Sequence, residues 1–109
     1  VLLGPIAPAT AQVTPTFQER SLDAGLDSPG GPYGFAFVDS DGDGREDLYL
    51  PSSGNGTDPN GADRFYVNLD GLHFADVAST VGLANLDDAR AGLLGDLDND
   101  GDLDTLLVY

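Results

Sequence analysis

The chain has 109 residues, with 19 acidic against 4 basic side chains and a net charge of −15. That length holds one ordinary domain or a piece of a larger protein, and a large catalytic fold does not fit. Four arginines and no lysine cannot neutralise a phosphate backbone, which excludes nucleic acid as a partner; the same charge disfavours an anionic membrane surface. Cysteine is absent and histidine occurs once, which removes disulfides, thiolate metal sites, histidine-based zinc sites and Ser-His catalysis. Of the acids, 17 are aspartate and 2 glutamate, a bias toward turns and hard-cation loops and away from helix.

Residues 1–11 are apolar and end in Ala9-Thr10-Ala11, the small-x-small pattern of a secretory cleavage site. They are expected to be a truncated signal-peptide remnant, which implies secretion, or the cell envelope if the source is bacterial. No stretch is long and apolar enough for a membrane span. Beyond this segment the chain repeats itself. Phe17, Gly25 and Leu26 recur as Phe74, Gly82 and Leu83, and Asp39, Asp41, Asp43, Gly44 and Asp47 recur as Asp96, Asp98, Asp100, Gly101 and Asp104. Every pair is 57 positions apart, without a gap. The expected organisation is a first repeat over residues 12–73 and a second, truncated one over 74–109.

Within one repeat the pattern is β. Phe35–Val38 and Leu48–Leu50 read as short strands. Arg64–Val67 and Leu72–Ala75 flank Asn68-Leu69-Asp70-Gly71, which reads as a hairpin with an Asp-Gly turn. Pro51–Asp63 is a Gly-, Ser-, Asn- and Pro-rich loop, and Val77–Gly82 predicts one helical turn stopped by Gly82. Gly92–Gly95 and Thr105–Tyr109 repeat the first strand pair. Four short strands in a unit of this length match a propeller blade, so the predicted fold is all-β, with two tandem blade-like repeats of an incomplete β-propeller.

Two loops carry the chemistry. Residues Asp39 to Asp47 and Asp96 to Asp104 both read D-x-D-x-D-G-x-x-D. The aspartates at positions 1, 3 and 5 (Asp39, Asp41, Asp43; Asp96, Asp98, Asp100) can converge on one cation as the chain curls. Gly44 and Gly101 supply the turn at position 6, and the backbone carbonyls of Arg45 and Asp102 can face the ion from position 7. Asp47 and Asp104 at position 9 would close the shell. An all-oxygen set of this kind suits Ca²⁺, about two ions in all and one per loop, better than Mg²⁺, Zn²⁺ or Cu²⁺. An EF-hand is excluded, because position 12 is Leu50 or Leu107 where that motif needs a bidentate glutamate, and strands flank the loops.

These residues resemble the FG-GAP/VCBS repeat family, the Ca²⁺-binding blades of integrin-type β-propellers. The resemblance runs from about Phe17 to Tyr109. Asn68 to Phe74 is similar to the family's N-x-D-G-x-F hairpin. The segment from Phe74 to Leu83 resembles one found in secreted relatives similar to cartilage acidic protein and the bacterial ASPIC/UnbV proteins. The family's Phe-Gly pair is not preserved, since Gly34-Phe35 and Ala91-Gly92 stand in its place. The resemblance implies that each calcium loop joins two strands of a blade on one rim of the propeller. It also implies an adhesion or binding module whose partner is an extracellular protein or glycan, with further blades of the same chain completing the ring. The alternative is the propeller scaffold of a secreted hydrolase or lyase whose catalytic part lies elsewhere. No catalytic residue is expected in this chain.

The remaining residues have plainer readings. His73 is expected on a solvent-facing strand and not as a ligand. Tyr33, Phe35, Phe37, Tyr49, Phe65, Tyr66 and Phe74 are expected in core or inter-blade packing. Asp58, Asp63, Asp87 and Asp88 are expected to be loop residues that favour solubility. Asn55-Gly56-Thr57 is a formal glycosylation sequon in a loop.

Overall fold

A computed structural model describes residues 4–5, 13–27, 31–53, 61–84 and 88–109. The greater part of 1–11, the sequon Asn55-Gly56-Thr57, Asp58 and Asp87 lie outside the described residues. Short, mainly apolar runs between Asp/Gly-rich turns form the strands. They are β1 (Ala36–Val38), β2 (Asp47–Leu50), β3 (Arg64–Asn68), β4 (Phe74–Asp76), β5 (Ala91–Gly95) and β6 (Asp104–Val108), with one helical turn, α1 (Ala78–Val81), between β4 and β5. The fold is therefore mostly β, in two antiparallel sheets. β1 to β4 form a four-stranded sheet in sequence order, and β5 pairs with β6. Among the described residues no helix is long and apolar enough to cross a membrane.

The 57-residue spacing reappears in the pairing register. Ala36 faces Tyr49, Phe37 faces Leu48 and Val38 faces Asp47. Their counterparts pair identically: Leu93 with Leu106, Leu94 with Thr105, and Gly95 with Asp104. The preceding segment repeats as well. Leu83 N–H donates to the Ala78 carbonyl at 2.8 Å, and Leu26 N–H donates to the Ser21 carbonyl at 2.8 Å. Both turns end in a left-handed glycine, Gly25 at φ 82° and Gly82 at φ 79°, which lets the last carbonyl of a helical turn be capped from beyond it. A side chain at Gly25 is doubly excluded, because a Cβ there would lie 2.8 Å from the Phe74 carbonyl oxygen.

The β3–β4 hairpin is longer-looped than the sequence predicts. Asn68 pairs with Phe74, so residues 69–73 form the loop and His73 sits in it, not on a strand. The cause is Asp70. Its carboxylate accepts the N–H groups of Leu72 and His73 and the His73 ring, which holds the chain out of the ladder for one residue more.

The core sits on one side of the first sheet. Tyr49, Phe65 and Ala78 are buried together, with Val38, Val67, Leu83, Leu94 and Leu107 packed around them. Tyr66 is buried too, and its hydroxyl donates to the Asp27 carbonyl at 2.6 Å. Two groups of side chains depart from the sequence expectation. Tyr33, Phe35 and Phe37 are exposed: Tyr33 and Phe35 precede β1, and Phe37 stands on the end strand of the sheet, beside the buried Leu48 and Tyr66 of its face. Asp63 is not a solubility residue: it is fully buried, and its carboxylate accepts the Tyr49 hydroxyl at 2.5 Å and the Ser52 N–H at 2.7 Å. Burial pushes the Tyr49 phenol well above its ordinary range, and the bond to Asp63 pushes the same way. Asp88 behaves as expected, exposed and 3.6 Å from Arg90.

Candidate metal centre

Each acidic loop connects the two strands of a hairpin, β1 to β2 and β5 to β6, so the strand register fixes where the loop begins and ends. The curl within it comes from left-handed residues at positions 4 and 6. These are Gly42 and Gly44 in the first loop, and Asn99 and Gly101 in the second. Asparagine is one of the few residues that tolerates this conformation, so Gly42 and Asn99 solve the same backbone problem.

Backbone N–H groups then turn inward onto the carboxylates. Asp39 Oδ1 accepts Gly42 and Asp43 N–H at 2.8 and 3.1 Å, and its Oδ2 accepts Gly44 N–H at 2.9 Å. Asp96 does the same work with Asp100 and Gly101 N–H at 3.1 and 3.0 Å. Asp41 and Asp98 each accept the N–H two residues on. Each carboxylate oxygen has two lone pairs, so Asp39 Oδ1 is filled by two N–H groups, while Asp39 Oδ2 and both Asp96 oxygens accept one each from the loop backbone and keep one lone pair.

The result is two tight acidic groups. Asp39, Asp41 and Asp43 each bring one oxygen within 4.8 Å of the others, and so do Asp96, Asp98 and Asp104. Two like charges at that range repel by about 1 kcal/mol even in water, and a divalent cation among them reverses the sign. The members differ between loops. Asp47, expected at position 9 of the first set, is not in the group. It is 1 % exposed, and its oxygens accept the Ser40 N–H at 3.0 Å, the Ser40 hydroxyl and the Asn68 N–H at 2.8 Å. Asp104 is in its group, and its Oδ2 accepts the Leu97 N–H at 2.8 Å. Asp100 is not in the second group, and its Oδ1 accepts the Asp102 N–H at 2.9 Å.

Arg45 was expected to contribute only its carbonyl. Its guanidinium also contacts the Asp43 carboxylate, and its Nε donates to the Asn68 carbonyl at 3.1 Å. The second loop has Asp102 at that position, an acid in place of a base. Asn68 is the residue that the sequence reading undervalued. It donates Nδ2–H to the Glu46 carbonyl and N–H to Asp47, and accepts Gly71 N–H at 2.7 Å, tying the β3–β4 hairpin to the first acidic loop. The signal available for it was its place in the N-x-D-G run.

His73 is exposed, and its Nδ1 lies 2.7 Å from Asp70. That contact, followed by the two backbone N–H bonds, holds the Asp70 carboxyl down to about 2. It belongs to the hairpin and not to either acidic group.

No family model, curated protein or solved structure matches the chain.

Proposed function

We propose that the chain is a calcium-binding, extracellular β-propeller repeat module of the FG-GAP/VCBS kind. In this reading each sheet is a blade, complete in β1–β4 and partial in β5–β6, and its calcium is structural. The module serves adhesion or the binding of an extracellular protein or glycan and has no catalytic activity of its own. The observation that carries the reading is the recurrence, at one spacing, of the same loop with its carboxylates turned inward by its own backbone. Repetition favours a part that each unit needs for folding, whereas a catalytic site is normally unique.

Metal that binds only the folded chain stabilises it by about 2.7 kcal/mol at a hundredfold excess over Kd. In a chain without disulfides that is a large share of ordinary stability. After chelator stripping, calorimetric titration with calcium is expected to give a stoichiometry near two per chain, with magnesium much weaker. A folded chain that takes up no calcium would sink the reading.

A further inference from the structure

Four aspartates are followed directly by glycine: Asp41, Asp43, Asp70 and Asp100. An Asp-Gly bond is open to attack from within, because glycine has no side chain to keep its nitrogen away from the preceding carboxyl group. When that nitrogen attacks Cγ, a cyclic imide closes. The N–C bond forms, a C–O bond breaks, and the carboxyl OH leaves with the amide proton as water. A second water then reopens the ring at either carbonyl. Opening at the backbone carbonyl leaves an isoaspartate, whose main chain runs through Cβ.

The four bonds are alike at the nitrogen and unlike at the carboxylate. Each glycine N–H is held, Gly42 and Gly44 by Asp39, Gly71 by Asn68 and Gly101 by Asp96. Asp43 is pinned at both oxygens, Oδ1 by the Arg45 N–H at 2.8 Å and Oδ2 by the Arg45 guanidinium. Asp70 is pinned at both as well, Oδ1 by the N–H groups of Leu72 and His73, and Oδ2 by the His73 ring at 2.7 Å. Asp41 and Asp100 are held at Oδ1 alone, each by the N–H two residues on, at 3.1 and 2.9 Å. Among the described residues nothing holds their Oδ2. The partners of Asp41 and Asp43 all lie within their own loop, so the contrast between Asp43 and Asp100 arises at position 7 itself. Arginine stands there in the first loop, and in the second Asp102, whose side chain repels a carboxylate.

We propose that Asp41 and Asp100 are sites of spontaneous isomerisation to isoaspartate, and that Arg45 and His73 guard the equivalent bonds at Asp43 and Asp70. To close the imide, the carboxyl carbon must turn onto the glycine nitrogen, so a side chain that pins the second oxygen has to let go first. The chain has four arginines and one histidine, and one of those arginines and the histidine stand on Asp-Gly aspartates. A guard has the weight of one charge-assisted hydrogen bond, which slows the guarded bonds on the order of tenfold. The products fall in the acidic loops. At Asp41 and Asp100 the main chain gains an atom and the carboxylate moves onto Cα, so each loop loses the reach of one aspartate side chain. The hairpin tip at Asp70 is spared.

The test is to hold the full chain at neutral pH in a chelator buffer made with heavy-oxygen water, digest it in ordinary water, and locate the label by fragment-ion mass spectrometry. Every passage through the imide brings one heavy oxygen into the site, whichever way the ring opens. Label is expected first at Asp41 and Asp100, with Asp43 and Asp70 behind by about tenfold. In urea, where the guards are gone, all four are expected to label at comparable rates. Arg45→Gln is expected to raise Asp43, His73→Ala to raise Asp70, and Asp102→Arg to lower Asp100. Should Arg45→Gln lose the parent's circular dichroism, the other two carry the test, since His73 and Asp102 are exposed. Equal labelling of the four sites in the folded chain overturns the proposal. So do folded variants that leave the pattern of the parent unchanged. The chelator keeps calcium out, so a chain that binds no calcium tests this inference as well as one that does.

Discussion

The two acidic loops share a backbone and differ in what surrounds it. The first is embedded. Asp47 is buried under Ser40 and Asn68, Arg45 lies on Asp43, and the β3–β4 hairpin leans on the loop through Asn68. The second stands on a two-stranded sheet, with Leu97 and Asp102 in place of Ser40 and Arg45 and with position 9 half-buried. The same sequence motif can therefore be held by protein contacts on one side of the molecule and by little besides itself on the other. The first loop is expected to keep its shape without metal, and the second to depend on it.

The sharpest way to break this comparison is at position 9. Asp47→Ala strands three buried or half-buried donors and is expected to cost about 3 kcal/mol in urea unfolding. Asp104→Ala loses one bond from an N–H that water can reach, and about 1 kcal/mol is expected in calcium-free buffer. Equal losses would mean that the first loop is no better embedded than the second.

The contact between the sheets comes next in size. Gly92→Ala forces the Tyr49 ring to move and is expected to cost about 1–3 kcal/mol, read as a lower thermal midpoint. Gly95→Ala, with nothing within 4 Å of its Cβ, is expected to be close to neutral. Tyr49→Phe leaves the buried Asp63 carboxylate short of one donor, and a loss of about 1–3 kcal/mol is expected.

Much of this was legible in the sequence, and what was not has a physical cause. Strands, loops and the 57-residue unit were legible because short apolar runs, Asp/Gly turns and repetition can be read directly along the chain. The register could be carried from one hairpin to the other for the same reason. Asp63 was not legible, since its partners Tyr49 and Ser52 are reached only when β2 and β3 pair. Nor was the binding of Asp47 by Asn68, which joins residues from two different hairpins. Phe35 and Phe37 look like core residues in any local window, and only the tertiary packing, which buries Leu48 and Tyr66 on the same face, leaves these two exposed.

The smallest expected effect is at the hairpin tip. Asp70 titrates at about 2 in the folded chain, held down first by His73 and then by the N–H groups of Leu72 and His73. Its contribution to stability is complete above the ordinary carboxylate range and fades as pH falls toward 2. In His73→Ala the Asp70 carboxyl is expected to titrate higher in an NMR pH series, while the acidic loops keep their behaviour. An unchanged Asp70 titration would remove His73 from the turn's design.

Calcium occupancy is tested most directly by the anomalous difference map of crystals grown with calcium. One peak is expected among the oxygens of Asp39, Asp41 and Asp43, and a second among those of Asp96, Asp98 and Asp104. In Asp98→Ala only the first is expected to remain. A map with the chain folded as described and no peak at either loop would contradict the proposal that these repeats are built around calcium.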